Sequence, residues 1–380
     1  MKPTTPEALH RRPIAPPTLD FDDHPLLAIW ELTQACDLVC QHCRACATPR
    51  RDPDELSTEE GCRLLDSIKA MGTPVVVLTG GDPAKRSDLP ALVAHGTSIG
   101  LTMTVTPSGT PVMTDELVAE LARAGVARLA VSLDGPDAAT HDAFRGVAGS
   151  FAESLRILRA ARACGVPVQI NTSIGPHNAK ALRAMADLAA ELEVTLWAVF
   201  VVVPTGRAGS SLLLRASGVE RMLEELADIA ETAPFDVKTT AAPHFRRVMM
   251  QRRSREGASG VLRDVDENGI VRGPRGITDG VGFLFVSHTG EIFPSGFLPV
   301  SAGNVRRDDL AAVYREHPLF KGLRDADSLG GKCGQCAFRR VCGGSRARAW
   351  AMLDDVMAED PLCAYIPRGY VAAEGAEPQA

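Results

Sequence analysis

The chain has 380 residues, of which 45% are hydrophobic and 23% charged. That is ordinary globular usage, and the length allows a large core plus a second unit, because single cores stop growing near ~250–300 residues. A net charge of −6 argues against a general attraction to nucleic acid or anionic membranes, whose partners are basic.

The chain opens MKPTTPEALHRRPIAPPTLD, a Pro-rich stretch with no apolar core of a secretory signal. Residues 1–24 therefore read as a disordered leader. No apolar run approaches the roughly 18–20 residues of a membrane-spanning helix. A cytoplasmic location is expected, where ten cysteines stay reduced and close spacing favours metal over disulfides.

Leu26 to Trp30 is an apolar run and predicts the first strand. The segment WELTQACDLVCQHCR follows, placing Cys36, Cys40 and Cys43 within eight residues. Three thiols cannot saturate a four-iron cluster, which takes one cysteine per iron, so one iron would stay open to a ligand. On the residues alone, a buried apolar cluster or a zinc site completed by His42 or Cys46 remains open.

Five more strand segments follow, at Pro74–Leu78, Leu101–Thr106, Ala127–Leu133, Pro167–Thr172 and Val194–Val203. Helical patterns separate them. Ser57-Thr58-Glu59-Glu60 and Thr114-Asp115-Glu116 are helix starts, each followed by apolar residues at helical spacing. Strand–helix alternation implies an α/β fold with a parallel sheet and right-handed crossovers. Six such units suit a partial (β/α)6 TIM-type barrel, whose functional groups collect at the C-terminal strand ends.

Those ends carry the chemistry. Thr79-Gly80-Gly81-Asp82-Pro83 lets backbone approach a ligand closely. Thr106-Pro107-Ser108 follows the third strand. Ser132 and Asp134 alternate with apolar neighbours and project from one face, needing partners such as ribose hydroxyls. Arg145, in His141-Asp142-Ala143-Phe144-Arg145-Gly146, can pair a carboxylate bidentately. Gln169, Asn171 and Ser173 give the fifth strand a polar face, which suggests a lined cavity. Thr205 lies in the turn Val203–Arg207. A basic run from Lys238 to Arg247 includes His244, Arg246 and Arg247, candidates for holding substrate carboxylates against the alternative of a solvated face. Gln251 to Asp279 lacks periodicity and reads as a loop or lid. Near Gly282 a hairpin begins, Phe283–Ser287 and Glu291–Phe293 around Thr289-Gly290. Cys333, Cys336, Cys342 and Cys363 then make a closed metal set, which a zinc knot would also explain.

The C-x3-C-x2-C loop resembles the signature of the radical S-adenosylmethionine (SAM) enzymes. The resemblance implies a [4Fe–4S] cluster on Cys36, Cys40 and Cys43 that binds SAM at its open iron and cleaves it to a 5′-deoxyadenosyl radical, which takes a substrate hydrogen. It also implies SAM contacts: Gly80, Gly81 and Asp82 at the amino group, Ser132 near the ribose, Arg145 near the carboxylate, and the loop of Thr205 beneath the adenine. Ser108, Asp134 and Asn171 are further cofactor-binding candidates. Two departures stand out: His42 where an aromatic residue is common, and Asp82 in place of Glu.

The last cysteines look like a SPASM (auxiliary-cluster) domain. Ser295 stands where a further cysteine is often found, so one auxiliary [4Fe–4S] cluster is expected on Cys333, Cys336, Cys342 and Cys363. The expected layout is leader 1–24, barrel 25–235, bridge or lid 236–281, auxiliary domain 282–370 and tail 371–380. Cys62 and Cys164 are left to helix packing.

Cys342-Gly343-Gly344-Ser345-Arg346-Ala347-Arg348 makes the chain most similar to the alternative-haem-pathway synthases. That implies oxidative decarboxylation of a tetrapyrrole propionate, with the auxiliary cluster an electron acceptor or a structural element. Implied partners are a small-molecule substrate and an external electron donor such as flavodoxin or ferredoxin. Rival readings are a ribosomal-peptide maturase, though the first 25 residues are too few for a leader-binding domain, a radical decarboxylase or oxidase of a sugar acid or nucleoside, and a non-enzymatic Fe–S or zinc scaffold.

Overall fold

Short β-branched runs alternating with helices build one continuous ten-stranded sheet in a computed structural model that describes residues 20–255 and 276–371. The leading units are β1 (Leu27–Glu31), α1 (Thr58–Ala70), β2 (Val75–Thr79), α2 (Leu89–Ser98), β3 (Thr102–Val105), α3 (Asp115–Arg123) and β4 (Arg128–Ser132). Then come α4 (Ala138–Arg145), α5 (Ser150–Ala163), β5 (Val168–Ile174), α6 (Leu182–Glu191), β6 (Leu196–Val201) and α7 (Ala216–Thr232). Strands β1 to β6 are parallel neighbours in chain order, giving the six expected β/α units.

The helices form where the sequence supplies caps. Ser57 and Glu60 close a reciprocal capping box on α1, which satisfies two otherwise orphaned donors. Leu64, Leu65 and Ile68 of α1 are buried, each stabilising the fold by about 1.5–3 kcal/mol relative to exposure. Alternate strand residues enter the same core, including Ala28 and Trp30, Val76 and Leu78, Leu129 and Val131, and Trp197 and Val199. Their neighbours therefore face the opposite side, into a lumen enclosed by the sheet.

The parallel sheet extends past the expected six units. The basic run expected to bridge two domains instead forms a seventh unit, β7 (Asp236–Thr240), parallel to β6, and α8 (His244–Arg255). Val237 packs in the core, which is why this short run joins the sheet. The expected loop from Gln251 begins inside α8; residues 256–275, like the leader through residue 19 and the tail from 372, lie outside the described residues.

The hairpin also belongs to the sheet. β8 (Phe283–Val286) pairs antiparallel with β9 (Glu291–Phe293) and parallel with β1, while β10 (Gly303–Asn304) extends that edge. Helices α9 (Leu310–Glu316), α10 (Pro318–Arg324), α11 (Gly331–Gly334) and α12 (Arg346–Leu353) follow. Arg348 of α12 is wholly buried, pairs with Asp360 at 2.9 Å and donates to Ala241 O at 2.6 Å. It ties the cysteine-rich unit to the end of β7.

Candidate active site

The three-thiol loop leaves β1 and is held from several sides by backbone. Cys36 N donates to Thr48 O at 2.8 Å, Val39 N to Arg145 O at 3.1 Å, and Gln41 N to Phe144 O at 3.0 Å. Arg207 donates its backbone N–H to Cys43 O at 2.9 Å and its Nε to Cys40 O at 3.1 Å. Such close approach needs glycine at Gly206, where φ is +65° and a Cβ would sit 2.4 Å from the carbonyls of Cys43 and Arg44. Gly81 lies equally tight, its absent Cβ 2.6 Å from Ala35 O.

Cys36, Cys40 and Cys43 border one end of a cavity with an empty volume of about 960 Å³, its open mouth included. Gly80, Gly81, Ser108, Ser132, Arg145 and Asn171 border it too, as do Thr79, Thr106, Ser173 and Phe200 from the strand ends. Residues from β1 through β6 can share one cavity only because the sheet curls around it. Cys46 is exposed and lies outside this lining.

Asp82, Asp134 and Thr205 do not border the cavity, contrary to expectation. Asp82 is fully buried and accepts from Thr110 Oγ1 at 2.6 Å, Ala84 N at 3.1 Å and Ser108 N at 3.3 Å. It braces the Gly80-Gly81 turn. Asp134 is fully buried, accepts from Ser173 N at 2.7 Å and binds Arg145 Nε at 2.6 Å. Burial alone would lower the guanidinium's proton affinity, but Asp134 raises it. Thr205 gives its hydroxyl to Phe297 O at 3.3 Å.

His42 is half-buried and stacked 4.2 Å from Phe144, which stacks on His177 in turn. Burial, with Arg145 nearby, holds its pKa down to about 3, so the ring is neutral. Lining residues not anticipated as site residues include Thr79, Thr106, Phe200 and Arg44. Strand parity would have revealed the threonines and Phe200. Arg44 extends over the Phe285 ring at 4.5 Å and pairs with buried Glu31 at 2.8 Å, while Glu31 also meets His288 at 2.9 Å. Phe297, from the distant hairpin connection, completes the wall.

The second thiol set, Cys333, Cys336, Cys342 and Cys363, borders a separate pocket of about 340 Å³. Here the three carboxylate candidates are found. His244 pairs with Asp360 at 3.0 Å; burial would lower its pKa, yet Asp360 and Cys363 raise it to about 9. Arg247 binds Glu220 at 2.6 Å and lies over Tyr365. Arg246 donates to Ile277 O at 3.0 Å. All three are taken up by protein partners beside the second thiol set, outside the lining of the first cavity, which removes the expected substrate-carboxylate role. Cys62 is partly buried on α1, but Cys164 ends α5 exposed.

Both thiol sets fit iron–sulfur clusters. Among the described residues no three His, Cys, Asp or Glu side chains converge on a single ion; the thiols border open volume instead. N–H groups already point at the sulfurs, with Leu38 N 3.4 Å from Cys36, Ala47 N 3.4 Å from Cys43 and Phe338 N 3.4 Å from Cys336. Such donors stabilise cluster thiolates and tune their potential. Burial pushes the Cys36 and Cys40 thiols up, and Cys333 to about 11, so metal binding must displace protons.

Residues 30–189 match the profile of the radical SAM superfamily. A Nitratidesulfovibrio vulgaris protein named AdoMet-dependent heme synthase is 40% identical over 90% of this chain and 93% of its own length. The chain belongs to the radical SAM superfamily. A second AdoMet-dependent heme synthase, from Methanosarcina barkeri, is 38% identical over 90% of this radical SAM enzyme and 97% of its own chain. The fold also matches Streptococcus suis SuiB bound to S-adenosylmethionine, with TM-score 0.70, 18% identity, and coverage of 90% and 78% of the two chains. As a radical SAM enzyme it uses a [4Fe–4S] cluster with SAM, and the second thiol set has the donors for a further cluster.

Proposed function

We propose that this enzyme oxidatively decarboxylates a propionate arm of a tetrapyrrole. The carrying observation is the cavity's mixed lining, in which three thiols and polar strand ends stand together with Phe200, Val202, Val203, Phe297 and Arg44. An apolar wall with one cation suits a flat macrocycle bearing carboxylates. The full-length similarity to proteins named AdoMet-dependent heme synthase supports the same reading.

When bound, the cluster supplies the electron that breaks a carbon–sulfur bond of SAM. Arg145, held by Asp134, orients the SAM carboxylate, and Ser132 and Asn171 serve the ribose. Arg44, whose Nη1 is held by Glu31, offers its remaining guanidinium N–H groups to a substrate carboxylate, and the apolar lining excludes water from the reacting carbon. The propionate would lose one β-hydrogen atom to the adenosyl carbon and one electron to an iron–sulfur acceptor, for which Cys333, Cys336, Cys342 and Cys363 supply the ligands; CO2 would leave and a vinyl group remain. The incoming electron is assigned to an external carrier such as flavodoxin or ferredoxin. A reducing cytoplasm suits the free thiols, and among the described residues no helix is long and apolar enough to cross a membrane.

The test is anaerobic turnover with SAM, dithionite and an iron porphyrin bearing free propionates. CO2 and vinyl product should appear along with 5′-deoxyadenosine. Formation of 5′-deoxyadenosine without CO2 would overturn the reading.

A further inference from the structure

The basic run that resembled a solvated stretch is split by the fold. His244, Arg246 and Arg247 go to the second thiol set, but Lys238 does not. On β7, Val237 packs into the core, so Lys238 faces the lumen. Strand register then places it in one row with the cavity: Ser132 is opposite Asn171, Asn171 opposite Ala198, and Ala198 opposite Lys238. Ser132 and Asn171 border the cavity, whereas Lys238 and Arg128 lie just beyond its lining, with only Ala198 between Asn171 and Lys238 in that row.

A second cation shares this wall. Leu129 and Val131 of β4 enter the core, so Arg128 also faces the lumen. Its Nη1 reaches Gln169 Oε1 at 3.4 Å, and Gln169 Nε2 donates to Asn171 Oδ1 at 2.7 Å. Arg128 Nε is buried without a hydrogen-bond partner. Among the described residues the Lys238 ammonium has no hydrogen-bond or ion-pair partner, and Asp236 is the acid that bears on Arg128. Lys238 is exposed on the edge strand of the sheet, and with Arg128 it sets two cations against one acid, a net positive wall that favours an anion. Across the lumen, Ile29 and Phe285 pair in register and face inward as an apolar wall.

We propose that Lys238 and Arg128 form a cationic seat for a second, non-reacting carboxylate of the substrate, with the macrocycle spanning toward the apolar wall. This rests on the tetrapyrrole reading above and adds to it: the substrate must carry at least two carboxylates, one at the reacting arm and one in the seat.

The experiment is a spectral titration of the cluster-loaded protein with an iron porphyrin bearing free propionates, and with its methyl ester. Wild type should bind the acid more tightly. Lys238→Met should weaken acid binding by about tenfold, as expected for losing one charge-assisted contact, and leave ester binding unchanged. Lys238→Arg should keep the acid preference. Iron content and unfolding midpoint check that each variant is folded. Lys238→Met binding both ligands like wild type would overturn the seat, as would equal losses for acid and ester. A wild type that cleaves SAM but binds neither porphyrin would overturn the substrate reading and the seat with it.

Discussion

Arg145 is held by Asp134, Nε to Oδ2 at 2.6 Å, with its Nη1 3.7 Å from Cys40 Sγ. One guanidinium thus links a wholly buried carboxylate to the cluster loop. Asp134→Asn keeps the shape and removes the charge. SAM affinity should fall by about tenfold while iron content holds, measured by calorimetric titration of reconstituted protein. Unchanged affinity would show that Arg145 needs no anchor.

Gly206 lies where the connection after β6 meets the cluster loop. Gly206→Ala adds a methyl into the carbonyls of Cys43 and Arg44 at φ +65°. Destabilisation of about 1–3 kcal/mol is expected, with iron uptake by the first cluster reduced. Urea unfolding and iron analysis would check both.

Arg348 and Asp360 are each 0% exposed at the side chain. Removing Arg348 leaves the buried Asp360 with His244 as its remaining cation, so Arg348→Met should cost up to ~3–5 kcal/mol. Chemical denaturation would measure it, and a loss under 1 kcal/mol, the range of exposed pairs, would contradict the geometry.

Burial, partly offset by Asp134, holds the His141 pKa down to about 4, below the ordinary 6.5 of an unfolded histidine. The unfolded chain therefore binds this proton first as pH falls. His141 contributes its full stability above pH 6.5 and loses it progressively toward pH 4. His141→Gln should flatten that decline by up to about 1.4 kcal/mol per pH unit, measured by urea titrations at pH 7, 6 and 5.

The six strands and their helices were legible because alternation and capping are local signals. So was the cluster loop, whose three thiols are close in sequence. Asp134 misled because Ser132 and Asp134 share parity, yet β4 ends at Ser132 and the chain then turns the carboxylate beneath Arg145. The Lys238–Arg247 run misled differently. It contains a strand, a turn with Ala241 at φ +53° and a helix, so neighbouring cations point to separate sites. Phe297 and the role of Arg44 depend on the pairing of β8 with β1, a contact between distant segments that no local pattern encodes.

That pairing has a consequence for how the molecule is made. Leu27 lies opposite Phe283, about 250 residues later in the chain, so the earliest strand off the ribosome waits with one flank bare until nearly all the polypeptide exists. Such distant closure is slow, and a naked strand edge invites wrong partners in the meantime. Shelter for the metal-binding loop therefore arrives last, when the hairpin docks.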